Sequence, residues 1–362
     1  MTGSAICAGC RRHIVQAKLR KAADNDAGKN GVNYMEHKEL NWAVIGCGVI
    51  ANEMAQGLCK MGRSLYSVAN RTHEKAAAFA KKYQIKIVYD SIDEVFGDPN
   101  VDIIYITTPH NTHYKYMKMA LENGKHILVE KSITLNSREL GEMISLAGEN
   151  NRIIGEAMTI WHMPLYKKLR DIVQSGELGK VQIITMNFGS FKEYDMGSRF
   201  FNMDLAGGAM LDIGVYALSI VRGFMDEKPD EIVSQWKPSP AGSDEMATVL
   251  LKNTKGQMAA VALSMHSKQP KRAMISCEKG YIEIMEYPRA DKAVIVDAVT
   301  GESREITVGK TSDALYYELQ DMEEAVRTNN PSLLHIQESC DVMEIMTKLR
   351  KDWGLRYPGE IW

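Results

Sequence analysis

Cysteine is scarce in this chain: Cys7, Cys10, Cys47, Cys59, Cys277 and Cys340 are scattered over 362 residues. That sparseness excludes a disulfide scaffold and leaves free thiols in a reducing cytosol as the reading, hence a cytoplasmic protein. No run approaches the ~18 apolar residues of a membrane span, which excludes a membrane partner. One-signed charge is also lacking. The formal net charge is −2, with no long basic block, so nucleic acid is not a partner. There is no internal repeat and no low-complexity tract. What remains is ordinary for a soluble globular protein, 45% apolar and 25% charged. At 362 residues the chain exceeds the usual single core, so two domains are expected.

The first 34 residues differ from the rest. Arg11, Arg12, Lys18, Arg20, Lys21 and Lys29 face only Asp24 and Asp26, a local balance of +4 that leaves −6 for the remainder. Without an apolar core this is no secretory signal. Cys7, Cys10 and His13 offer three ligands where structural zinc wants four, so no metal is assigned. The reading is a basic leader over residues 1–39, with Met35 as the natural start and the fold opening near Leu40.

Beyond it, strand and helix alternate. Strand-like runs at Trp42–Ile45, Ser64–Ala69, Ile103–Thr107, His126–Val129 and Arg152–Ala157 are separated by helix-like runs. Those are Asn52–Met61, His73–Tyr83, Ile92–Phe96, Thr112–Asn123 and Ser137–Asn150. The pattern implies a parallel sheet covered by helices over residues 40–157. Residues 158–362 turn β-rich, with runs such as Val181–Phe191, Met246–Leu251, Met258–His266 and Tyr281–Glu286. Helices are expected at Leu165–Ser175, Ala209–Phe224, Asp313–Thr328 and Ile336–Trp353. This is an α+β half with an open, mainly antiparallel sheet; its last helices can return to the first domain.

The turn after the first strand reads Gly46-Cys47-Gly48-Val49-Ile50-Ala51, the G-x-G-x-x-[GA] pattern of dinucleotide binding. Gly46 permits the tight turn. Gly48 lets a pyrophosphate approach the backbone, and Ala51 lets the helix pack close to the sheet. Val49 and Ile50 open that helix, whose free N–H groups and positive dipole end suit phosphate. The second strand ends at Asn70-Arg71, with Lys75 one turn on. An acidic residue there would hold a ribose hydroxyl; a guanidinium suits a 2′-phosphate, which favours NADP over NAD. Thr107, Thr108, Pro109, Asn111 and His113 follow the fourth strand, and Glu130-Lys131 ends the fifth. Ligands in open α/β sheets bind beyond such strand ends, so Glu130 is expected at a ribose hydroxyl and Lys131 beside nicotinamide and substrate.

GCGVIA, TTPHNTH and LVEK, with the later GGAMLDIGVY and the terminal LRYP, resemble the glucose–fructose oxidoreductase/inositol dehydrogenase (Gfo/Idh/MocA) family. The resemblance runs from Leu40 to the end, about nine-tenths of the chain. It implies a Rossmann domain, an open-faced sheet domain that often mediates dimerisation, and a homodimer or dimer of dimers. Lys131 matches the family's catalytic lysine, with Ser132 where the family usually has Pro. Asp212 and Tyr216 match its second catalytic segment. Tyr216 stands where His is commonest, as in the dimeric dihydrodiol dehydrogenase and xylose dehydrogenase branch, which argues against inositol dehydrogenase. Trp161 stands where the dihydrodiol branch has Arg. Trp161 and His162 are therefore expected in the substrate pocket, Trp161 stacking on a sugar or flat ring.

The resulting expectation is hydride transfer between nicotinamide and a sugar, polyol or diol. Tyr216 would act as general acid/base, its pKa lowered by Lys131, and Asp212 would orient the substrate or balance the lysine. Which of Lys131 and Tyr216 moves the proton stays open. Two alternatives stand beside this: an NADP-binding sensor without catalysis, and an oxidoreductase that recycles a tightly held cofactor.

Overall fold

A computed structural model describes residues 39–362. The leader, its Cys7-Cys10-His13 set and Met35 lie outside them. The first strand, β1 (Trp42–Ile45), is buried on every residue, as a central parallel strand covered on both faces must be. It is followed by α1 (Val49–Lys60), β2 (Ser67–Ala69), α2 (His73–Tyr83), β3 (Ile87–Val88) and α3 (Asp93–Gly97). Next come β4 (Ile103–Ile106), α4 (His113–Glu122), β5 (His126–Glu130), α5 (Ser137–Glu149) and β6 (Ile154–Ala157). All pairs in this sheet are parallel, in the order β3-β2-β1-β4-β5-β6. The order reverses between β1 and β4, which opens the crevice where such folds bind ligands. Strand β3 was not anticipated; two half-buried residues carry too little pattern. Helix α5 starts where its sequence says. Asn136 accepts the N–H of Glu139 at 3.0 Å, and the Glu139 carboxylate takes the N–H of Leu135 at 3.0 Å.

The chain continues through α6 (Thr159–His162), α7 (Pro164–Gln174), β7 (Val181–Gly189), a π-helical turn at Met210–Gly214 and α8 (Val215–Phe224). Strands β8 (Glu231–Pro238), β9 (Asp244–Lys252), β10 (Met258–Ser264) and β11 (Gln269–Cys277) follow. Then come β12 (Gly280–Met285), β13 (Lys292–Asp297), β14 (Ser303–Thr307), α9 (Ala314–Thr328) and α10 (Ile336–Asp352). The second sheet runs β14-β13-β12-β11-β7-β10-β9-β8. Its pairs are antiparallel except β7 with β10, which are parallel. One face is apolar and packed; on the other, Val233 and Leu250 are 67% and 60% exposed.

The segment Met203–Phe224 corrects the expectation that no stretch nears a membrane span. It is apolar enough by composition, and 78% of its most apolar window is buried inside the protein, so it reads as a core helix. Helix α9 lies along α1. The indole of Trp42 donates to Glu323 at 2.8 Å, and a methyl at Gly57 would meet Leu319 at 3.0 Å. The last helices thus close over the first sheet.

Candidate functional site

Beyond the carboxyl ends of β1, β2 and β4 lies a cleft of about 320 Å³. Gly46, Gly48, Asn70, Arg71, Lys75, Thr107, Thr108, Pro109 and Asn111 line it, as the sequence suggested. Cys47, Thr72, Ile92, Thr112, Tyr116 and Leu205 line it too, and sequence reasoning missed them. Tyr116 had a signal, one helical turn beyond Thr112. Leu205 had none, since it arrives from the second half of the chain.

Gly46 has φ +104°, and a Cβ there would meet Thr107 Oγ1 at 2.5 Å. At Gly48 a Cβ would meet nothing within 4 Å. Nothing in the protein requires a glycine there, and the open space leaves room for a group to approach the backbone. Helix α1 starts at this point with no side-chain cap and no acid in its first turn, so its N-terminal N–H groups stay open to an anion. Val49 is 75% exposed on that turn, whereas Ala51 is buried. Among the described residues, neither Arg71 nor Lys75 belongs to an ion pair. The cleft therefore fits a dinucleotide.

The end of β5 delivers Glu130 and Lys131, joined to the cleft wall through His110, which stands between Pro109 and Asn111 and meets the Lys131 carbonyl. The Lys131 ammonium donates to the Asp212 carbonyl at 2.7 Å and to its carboxylate at 3.0 Å. It also lies 5.0 Å from the centre of the Tyr216 ring. The π-helical turn explains the reach. A widened turn releases carbonyls from the helical ladder; here Ser132 takes that of Leu211 at 2.9 Å and Lys131 that of Asp212. The Lys131–Ser132 peptide bond is cis. Arg199 approaches Asp212 at 3.4 Å. Glu130 accepts the hydroxyl of Tyr105, and burial pushes its carboxyl up.

Burial would lower Lys131, but the Asp212 carboxylate that accepts its hydrogen bond outweighs it and holds the ammonium above its ordinary pKa. Burial likewise opposes the charge on Asp212; Lys131, then Arg199 and His110, hold it well below the carboxylate range. Tyr216 departs from expectation. Lys131 does pull its phenol down, yet burial is larger and the net shift is upward. The resting tyrosine is a neutral phenol, not a phenolate.

Val49, Ile50, Ala51, Glu130 and Lys131 are not among the residues lining the cleft, and His113, Trp161 and His162 are placed differently from the sequence reading. His113 does not line the cleft. It is buried, its ring nitrogens 3.0 and 2.8 Å from the carbonyls of Ser132 and Thr108, so it braces two loops. His110 performs a similar task, with Nε2 3.0 Å from the Lys131 carbonyl; burial drives its pKa down to about 3. Trp161 is 1% exposed, stacked on His335 at 5.1 Å, with Arg170 over its ring at 5.9 Å. His162 is buried, its Nδ1 2.8 Å from the Asp321 carboxylate. Both sit in packing between α6 and the terminal helices rather than in an open pocket, because α6 is wedged against α9.

Residues 40–158 match the model of an oxidoreductase family with an NAD-binding Rossmann fold, and residues 166–283 match the GFO/IDH/MocA C-terminal domain. Trans-1,2-dihydrobenzene-1,2-diol dehydrogenase of Mus musculus is 28% identical over 337 residues, covering 89% of this chain and 99% of the relative. Two solved structures share the fold. The 3-ketoreductase KijD10 from Actinomadura kijaniata, in complex with NADP and TDP-benzene, has a TM-score of 0.77 at 18% identity, over 86% of this chain and 97% of that one. An aldose-aldose oxidoreductase from Caulobacter crescentus has a TM-score of 0.79 at 21% identity, over 87% and 97%.

Proposed function

Because this chain belongs to the Gfo/Idh/MocA oxidoreductase family and is an NAD(P)-binding enzyme, we propose that Lys131, Asp212 and Tyr216 form its hydride-transfer centre. The substrate class is a carbon bearing a hydroxyl or carbonyl on a sugar, polyol or vicinal diol. The observation that carries this is the meeting of Lys131 with Asp212 and the Tyr216 ring beside a cleft that fits a dinucleotide. The name of the mouse relative describes a cyclic vicinal diol as substrate, which places diols in the panel.

Bound nicotinamide supplies or accepts the hydride; the protein manages charge and proton. Lys131 stays an ammonium and hydrogen-bonds the oxygen where negative charge grows. Asp212 fixes the lysine and balances its charge. Tyr216, a neutral phenol, suits delivery of a proton to a carbonyl oxygen, and oxidation retraces the same path. Arg71 and Lys75, with no acid at the end of β2, favour NADP over NAD through a 2′-phosphate. The free thiols Cys47, Cys59, Cys277 and Cys340 fit a cytoplasmic setting. The exposed apolar face of the second sheet, with Val233 and Leu250, fits a homodimer, which sedimentation measures directly.

The test is a panel of aldoses, inositols, vicinal diols and their ketones with NADP(H) and NAD(H), read by nicotinamide absorbance. The reading expects turnover with at least one class and a lower KM for NADP than for NAD. NADP binding without turnover on any member would favour a non-catalytic NADP sensor.

A further inference from the structure

Two cations on one segment, one of them in contact with Asp212, take no part in the hydride chemistry. After β7 the chain runs without regular structure from Ser190 to Asn202. It is braced there: the His266 ring stacks on Tyr194 at 3.8 Å and on Phe191 at 5.4 Å. The Lys192 N–H donates to the Met265 carbonyl at 2.8 Å, and the Lys192 carbonyl lies 2.8 Å from His266 Nδ1. The Lys192 ammonium sits 4.6 Å from the centre of the Phe200 ring, and the Arg199 guanidinium lies 4.4 Å from the same ring. One aromatic ring thus holds both cations.

Lys192 is not neutralised where it stands, and Arg199 is neutralised only in part. Among the described residues Lys192 has no ion pair, and Arg199 has only the long 3.4 Å approach to Asp212. Asp212 is already engaged by Lys131 at 3.0 Å. Of the carboxylates on or beside this segment, Glu245 is engaged by Lys237 at 3.0 Å and by the Tyr194 hydroxyl at 2.5 Å, and Asp195 takes the Gly197 N–H at 2.9 Å. The Arg199 side chain is 56% exposed. A guanidinium has five donors, so most of Arg199's face outward beside Asp212. An oxyanion would give the remaining donors charge-assisted bonds shorter than the 3.4 Å approach to Asp212.

We propose that Arg199 and Lys192 form a subsite for an oxyanion substituent of the substrate, a carboxylate or a phosphate, carried close to the reacting carbinol. This rests on Lys131, Asp212 and Tyr216 being the hydride-transfer centre, and narrows the substrate class from neutral polyols to sugar acids or sugar phosphates. Arg199 determines specificity by grasping that group while keeping its contact with Asp212. Lys192 adds a second charge from a fixed backbone.

The test uses the full chain loaded with NADPH. Glucose, glucuronate and glucose 6-phosphate are titrated calorimetrically into wild type, Arg199→Gln, Lys192→Gln and the double variant. The subsite expects at least one charged sugar to bind about tenfold or more tightly than glucose. That preference should shrink in each single variant and vanish in the double one, with NADPH affinity unchanged as the control for folding. Preference for glucuronate or for glucose 6-phosphate tells carboxylate from phosphate. Equal binding of all three, no binding of either charged sugar, or a preference that survives the double variant overturns the subsite. A charge preference without turnover on any sugar leaves the subsite standing and removes the catalytic reading. Turnover of neutral polyols without charge preference does the reverse.

Discussion

Gly46 and Gly48 stand two positions apart and answer different demands. Gly46 is held at φ +104° with a would-be Cβ 2.5 Å from Thr107 Oγ1, so the protein itself needs glycine there. Gly48 has φ −75° and an empty surrounding for a Cβ, so nothing in the fold itself requires glycine there. Gly46→Ala should therefore lower stability by about 2 kcal/mol or more. Gly48→Val should cost no more than the ~1 kcal/mol of a poor N-cap while weakening NADP at least about tenfold. Urea unfolding and NADP titration of both variants measure this; normal NADP binding by Gly48→Val would contradict the phosphate reading. Such residues were legible in sequence because their demands are local. Trp161 and His162 were not. Their surroundings are His335 and Asp321, more than 150 residues further on, and no local pattern announces that a tryptophan will be enclosed by them.

At the scale of elements the π-helical turn Met210–Gly214 matters most. The i, i+4 spacing of Asp212 and Tyr216 indicated one helix face. It could not show that the turn widens and offers two carbonyls to Ser132 and Lys131, because backbone pairing of this kind leaves no mark on composition. The start of that helix is held by Asp244, whose carboxyl accepts the Met210 N–H at 2.5 Å while its other oxygen has no partner. A Cβ on Gly208 would lie 2.0 Å from that oxygen, so glycine is required beside it. Burial pushes the Asp244 pKa up to about 7. The sign follows from linkage. A raised acid holds its proton in the folded state while the unfolded state gives it up near pH 4. Its stabilising contribution is complete below that pH and is lost as pH rises toward 7, by at most about 1.4 kcal/mol per unit. Burial raises Glu156 to about 7 as well, with the same sign. Asp244→Asn mimics the neutral form, so its melting temperature should fall less steeply between pH 4 and 7 than that of wild type. Identical slopes in the two proteins would show that Asp244 is not neutral in the fold.

On the scale of the whole molecule, the first sheet was readable apart from β3, because its other strands are buried runs alternating with helices, whereas β3 is two half-buried residues. The second sheet was readable as strands and turns but not in its pairing. Its parallel joint between β7 and β10 links residues separated by two intervening strands and a helix, and such long-range choices are settled by packing. The proposed hydride-transfer centre draws on both halves: the end of β5 carries Lys131 to the turn of the second half that holds Asp212, with the Tyr216 ring beside it. The direct test is turnover of Lys131→Met and Tyr216→Phe beside wild type, with NADP affinity measured in parallel. The account predicts that each variant loses kcat by about a hundredfold or more while NADP still binds within about threefold of wild type. Near-normal turnover in both variants would contradict it.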